Sequence, residues 1–152
     1  MVKKHWELTE KIIACFFRVY NSLGYGFLEK VYETALAKEL ELAGLKVERQ
    51  RPITVFYHGE IIGEYFADLL INDSVIVEIK AVRAMLEEHE AQLLNYLKAT
   101  RYEVGLLLNF GQEAKFKRKA FDNEGKGNLR WTSPNQSPLK ILLSCKSAFY
   151  SF

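Results

Sequence analysis

Two carboxylates and a lysine lie in a stretch that otherwise reads as an apolar hairpin: Asp68-Leu69-Leu70-Ile71-Asn72-Asp73-Ser74-Val75-Ile76-Val77-Glu78-Ile79-Lys80. Val75, Val77 and Ile79 alternate with Ile76, Glu78 and Lys80, and the two-residue period of a strand puts Glu78 and Lys80 on one side of it. With Asn72, Asp73 and Ser74 as the turn, Ile71 pairs with Val75 and Asp68 falls opposite Glu78. Directly opposed residues have Cβ atoms about 4.5–5.5 Å apart. Facing like charges are unfavourable, so two ionised acids there call for a cation between them. A hard divalent metal suits that task better than Lys80 alone.

Such a hairpin needs elements to carry it. Within residues 9–23, Ile12, Ile13, Phe16, Val19, Tyr20 and Leu23 recur at intervals of three and four, which predicts a helix with Thr9 as its N-cap and Gly24 as its stop. A second amphipathic run turns Leu28, Val31, Tyr32, Ala35, Leu36 and Leu40 inward and ends near Ala43-Gly44. Residues 47–57 read as a strand in which Pro52 marks an edge position or a strand start, and His58-Gly59-Glu60 turns the chain into a second strand over 61–71. After the acidic hairpin come a charged helix over 87–100, an apolar strand over 102–109 buried on both faces, and a last strand over 115–121. The order ααβββαββ argues an α/β domain with a mixed sheet flanked by helices.

The composition changes after Phe121. Breaker-rich segments at 122–128 and 133–138 divide the chain into a domain over 1–121 and a C-terminal tail over 122–152, in which Leu139 to Leu143 are apolar enough to dock back. A chain of 152 residues with 49% hydrophobic content can bury a core in one domain. The net charge of +2 hides an asymmetry: 13 Lys and Arg face 16 acids up to Phe110, and 8 face 3 beyond it. That basic excess suits either a phosphate contact or plain solvation. Cys15 and Cys145 have no Cys or His at ligand spacing and read as reduced thiols, while His5, His58 and His89 are too scattered for zinc. No apolar run reaches the roughly 18 residues of a membrane span, and the N-terminal segment lacks a signal-peptide core, so the expected location is cytoplasmic with no membrane partner.

An Asp followed ten residues later by Glu-x-Lys on a hairpin, within this order of elements, resembles the PD-(D/E)XK nuclease superfamily over about residues 9–121. Gly26-Phe27-Leu28-Glu29-Lys30-Val31-Tyr32 resembles the Gly-x-x-Glu-x-x-Tyr signature of one family within it. Gln92-Leu93-Leu94-Asn95-Tyr96 resembles the Gln-x-x-x-Tyr element of RecB-type nucleases, its two polar residues one helical turn apart.

The resemblance implies a restriction-endonuclease-like core and a nuclease acting on DNA, with RNA as the second candidate. It implies that Glu29 joins the metal shell, that Gln92 orients the phosphate or attacking water, and that Tyr96, with Tyr32 beside Glu29, meets the nucleic acid. Asp68, Glu78, Glu29 and the Ile79 carbonyl would then offer oxygens suited to Mg²⁺ or Mn²⁺, with Lys80 positioning water or neutralising the phosphate. Lys115, Lys117 and Lys119 share one strand face and could form a phosphate-contacting stripe flanked by Arg49 and Arg51, or simply a solubilising edge. Glu87, Glu88 and Glu90 read as a solvated helix start. The competing reading is a catalytically silent module of the same fold that binds nucleic acid or protein. Oligomeric state stays open, a homodimer included.

Overall fold

Ile12, Cys15, Phe16 and Val19 form the buried stripe of α1 (Trp6–Leu23) in the computed structural model, which describes residues 4–127. The helix begins three residues before Thr9. Thr9 is buried inside the first turns and donates its hydroxyl to the Trp6 carbonyl at 3.0 Å, so it is not the N-cap; Leu8, half-buried against the core, lies in the turn that precedes it. Gly24 stops it, with φ of 68° and its N–H on the Tyr20 carbonyl. In α2 (Glu29–Leu42), Tyr32, Leu36 and Leu40 are buried, whereas Leu28 and Val31, expected inward, face solvent. Glu33 takes a buried place instead, for the reason given below.

The sheet has five strands in the order β1 (Val47–Tyr57), β2 (Glu60–Ile71), β3 (Val75–Lys80), β4 (Val104–Phe110) and β5 (Ala114–Ala120), with α3 (Glu87–Ala99) between β3 and β4. All neighbours are antiparallel except β3 and β4, which run parallel through the α3 crossover. Every residue of β4 is buried, as its unbroken apolar run implies. Pro52 lies on β1, an edge strand, where a missing N–H costs least.

Helices α1 and α2 cover one face through Ile12, Phe16, Tyr32, Leu36, Val77 and Leu106. Helix α3 covers the other through Leu93, Leu97, Ile76 and Leu107. A Cβ on Gly105 of β4 would come within 2.6 Å of Leu93, so glycine lets α3 pack this closely on the sheet. The chain stays attached past β5: the buried Lys126 ammonium donates to the carbonyls of Thr100 and Tyr102. The expected docking of the tail and the reading of Cys145 lie outside the described residues.

Candidate active site

The β2–β3 hairpin turns as its residues require. Asn72 and Asp73 adopt φ of 50° and 51°, the left-handed region these side chains tolerate best after glycine, and the Ser74 N–H closes the turn on the Ile71 carbonyl. Tyr102 and Arg101 hold the Asp73 carboxylate from outside. Pairing then runs Ile71 with Val75, Leu70 with Ile76 and Leu69 with Val77, and stops. Beyond this point β3 continues along β4, while the β1–β2 ribbon peels away.

Asp68 and Glu78 fill the fork. The Glu78 Oε2 accepts the Asp68 N–H at 2.8 Å, and the Asp68 Oδ2 accepts the Ile79 N–H at 2.7 Å. The two side chains thus replace the ladder bonds that parting strands can no longer make. The expectation of a direct cross-strand pair is refined: the acids meet, but across an opened ladder. Glu78 is 5% exposed, and burial, with the Asp68 charge added, pushes its carboxyl up to about 8. Lys80 favours the charged form through space without a close ion pair to either acid among the described residues.

On the α2 side, a cavity of about 380 Å³ is lined by Glu29, Lys30, Glu33, Gln50, Asp68 and Ile79. The spacing of the glycine, glutamate and tyrosine around Glu29 has a local cause. Gly26 has φ of 111°, a backbone that only glycine adopts without strain. Tyr32 donates its hydroxyl to the Gly24 carbonyl at 2.6 Å and accepts the Phe27 N–H, clamping the loop that delivers Glu29 to the first turn of α2. Its ring stacks on Phe110 at 4.3 Å. Tyr32 is fully buried, so it shapes this loop and is not placed to touch a nucleic acid.

On the α3 side, Gln92 and Tyr96 do share a face: the Gln92 amide donates to the Tyr96 hydroxyl at 3.0 Å. Tyr96 is 5% exposed, and burial together with the Glu78 charge drives its hydroxyl up to about 12. Little of Tyr96 is therefore open to a strand. Beside it, Gln92, Asn95 and the half-exposed Tyr65 line a larger groove of about 670 Å³. Gln92 belongs to this groove and not to the cavity beside Asp68.

Lys115, Lys117 and Lys119 occupy one face of β5, opposite Asn109, Leu107 and Gly105. Part of that stripe is engaged: Lys119 pairs with Glu90 at 2.6 Å and Lys115 with Glu113. Glu90 is accordingly a partner of the sheet, while Glu87 and Glu88 are exposed. Arg51 pairs with Glu48, and Arg49 turns to Glu33.

Among the described residues, no three of His, Cys, Asp and Glu converge closely enough to hold an ion. The expected shell of Glu29, Asp68, Glu78 and the Ile79 carbonyl is therefore not a finished cage; Glu29 shares the cavity with Asp68 and Ile79 but stays apart from the acid pair. The donors that are assembled still suit Mg²⁺, which takes one or two carboxylates and draws its other oxygens from phosphate and water. Burial first and the Asp68 charge second raise the Glu78 carboxyl, and a cation bound beside the two acids would offset both.

Two further polar groups escaped the sequence reading. Glu33 is 4% exposed and receives Arg49, Lys30 and Gln50. Burial raises its carboxyl, but those donors outweigh burial and hold it below the usual range. Asn109, buried in β4 beside Lys80, grips both the N–H and the carbonyl of Val82, fixing the chain as it leaves β3 for α3. The available signals were a glutamate on the buried arc of a helix and an amide inside an apolar strand.

A family model, that of the PD-(D/E)XK nuclease superfamily, matches residues 6–120. This spans α1 through β5, and the five-stranded mixed sheet flanked by helices is consistent with the restriction-endonuclease-like fold of that superfamily. No curated protein and no solved structure matches the chain.

Proposed function

We propose, for a chain that belongs to the PD-(D/E)XK nuclease superfamily, the activity of a metal-dependent nuclease that hydrolyses phosphodiester bonds, with DNA as the preferred substrate and RNA the second. Within the superfamily the chain falls, on the Gly26, Glu29 and Tyr32 spacing, in the Gly-x-x-Glu-x-x-Tyr family. The observation that carries the reading is the Asp68 and Glu78 pair at the fork of β2 and β3, with Lys80 one strand period beyond Glu78.

Asp68 and Glu78 would hold Mg²⁺ or Mn²⁺, the kind of divalent metal that nucleases of this superfamily generally use. When bound, it polarises the phosphodiester and lowers the pKa of a coordinated water. The chain's own groups do the rest. The Asp68 and Ile79 N–H groups fix the two carboxylates before substrate arrives, so little reorganisation is needed. Lys80, outside any close ion pair among the described residues, is available to neutralise charge growing on the phosphate. Glu29 opens on the same cavity from the first turn of α2 and can take a water or a second ligand position. Gln92 and Tyr96 form the wall between the acids and the outer groove, along which the substrate strand would approach.

A catalytically silent module of the same fold is favoured by one observation, the lack of a three-ligand cluster among the described residues. Cleavage of labelled single- and double-stranded DNA and RNA with Mg²⁺ or Mn²⁺, wild type against Glu78→Ala purified identically, decides between them. Metal-dependent cleavage lost in the variant supports the nuclease; binding without cleavage on every substrate supports the silent module. No helix among the described residues is long and apolar enough to cross a membrane, and we place the protein in the cytoplasm.

A further inference from the structure

Gln50 is the strained residue nearest the acid pair. It sits inside β1 with φ of 52°, a left-handed backbone that a glutamine adopts only at a cost. The register on either side is regular, Arg49 with Leu69 and Arg51 with Ala67, so Gln50 stands opposite Asp68 just where the direct pairing lapses. Across three strands this makes a row of Gln50, Asp68 and Glu78.

The unusual backbone places the amide between two acids. The Gln50 Nε2 donates to the Glu33 Oε1 at 2.6 Å and lies 3.5 Å from the Asp68 Oδ1. Two acid acceptors on one side leave only one sensible orientation of the amide, nitrogen toward the carboxylates. Glu33 is held in turn: Arg49 donates twice to its other oxygen at 2.8 and 3.0 Å, and Lys30 adds a third contact. A buried carboxylate with that many donors is a rigid anchor.

The Asp68 carboxylate is therefore approached from both ends, by the Ile79 N–H on Oδ2 and by Gln50 on Oδ1. With both oxygens addressed, its plane is set. Strain kept in a position whose neighbours fix it is the pattern that accompanies a functional constraint. A ladder position that needed only pairing would have relaxed to an ordinary strand backbone.

We propose that Gln50 is a positioning residue for Asp68, and that buried Glu33, locked by Arg49, is the anchor that keeps Gln50 in place. This rests on the nuclease reading above and extends it to groups that do not themselves meet the substrate. Partners of this outer kind typically change metal affinity or turnover by about 10- to 100-fold when removed.

The test uses Gln50→Gly and Gln50→Asn in the full chain. Both residues tolerate the left-handed backbone; glycine has no amide, and the amide of asparagine is one methylene too short to reach both acids. In chelator, both variants should melt within a few degrees of wild type, because relief of strain offsets the two contacts of the amide, whose acceptors Glu33 and Asp68 line a water-accessible cavity. The Mn²⁺ concentration that half-saturates the melting shift should rise about tenfold, and kcat should fall about 10-fold or more with KM for the nucleic acid unchanged. A large drop in melting temperature with the Mn²⁺ midpoint intact would assign Gln50 to structure alone and overturn the proposal. So would variants that bind Mn²⁺ and cleave within twofold of wild type. If wild type itself shows neither a Mn²⁺ shift nor cleavage, the nuclease reading falls and this inference falls with it; a wild type that cleaves beside variants that cleave equally removes only this inference.

Discussion

Glu78→Gln should stabilise the chelated protein at pH 8 while removing its response to metal. Glu78 is buried beside Asp68, and its carboxyl is pushed up to about 8 from the ordinary 4.5. A folded-state value above the unfolded one means that proton binding supports the fold. That support is fully present below about pH 4.5 and is lost as pH rises through about 8. The full displacement corresponds to up to about 5 kcal/mol. Water reaching Asp68 from the adjoining cavity screens part of it, leaving about 2–3 kcal/mol, or roughly 10 °C in melting temperature for a domain of this size. A glutamine keeps the carbonyl that accepts the Asp68 N–H and turns an NH₂ toward Asp68, so the lost repulsion is not replaced by a cavity. The assay is thermal melting of wild type and variant in chelator from pH 5 to 8.5, repeated with Mn²⁺. Wild type should lose stability over that span and the variant should not; at pH 8, Mn²⁺ should restore wild type and leave the variant unmoved. Parallel pH profiles for the two proteins, or a variant less stable than wild type at pH 8, would refute the reasoning.

Glu33 behaves in the opposite sense: burial raises its carboxyl, but Arg49, Lys30 and Gln50 hold it below the usual range, so its contribution is present above about pH 4.5 and is lost as pH falls through the lower folded value. Glu33→Gln should flatten the acid limb of the stability profile in melts from pH 5 to 2.5, and should cost about 2 kcal/mol at neutral pH by leaving Arg49 half unpaired. Tyr32→Phe removes the hydroxyl that clamps the Gly24–Phe27 loop but keeps the ring on Phe110; a loss of about 1–2 kcal/mol in urea unfolding is expected, with nucleic-acid affinity unchanged. Asn109→Ala strands the Val82 N–H and carbonyl; about 2–3 kcal/mol should go, read as a lower urea midpoint, together with faster amide exchange over residues 81–86.

The helices and strands were legible because their residues follow one period each. Ile12, Phe16 and Val19 keep to a helical stripe, and Val75, Val77 and Ile79 to a strand face, wherever the elements end up packing. Boundaries yielded where tertiary contacts outbid a local signal. Thr9 has the chemistry of a cap, yet it is buried within the helix, and Leu8 ahead of it packs on the core as part of the same helix. Leu28 and Val31 fit a buried stripe on paper but point away from the sheet, because the arc of α2 that faces it is set by Tyr32, Leu36 and Leu40.

At the candidate site, the residue types and the two-residue period already set Asp68 against Glu78, since both lie on one hairpin and a hairpin is a local structure. Gln92 and Tyr96 were joined by a single helical turn for the same reason. What the sequence could not decide was how residues far apart along the chain divide the work. Tyr32 became a core clamp because Phe110 and Gly24 meet around it, and Glu29 was left on the cavity wall because the loop it follows ends there. Glu33 and Gln50 entered the site because α2 packs across the sheet where β1 lies beside the forked hairpin, and their bonds to one another and to Asp68 exist only once those elements are packed. Local periodicity fixes which groups share a face; only tertiary packing fixes which faces meet, and with that the burial and the hydrogen-bond partners that turn a carboxylate into a ligand, an anchor or a surface charge.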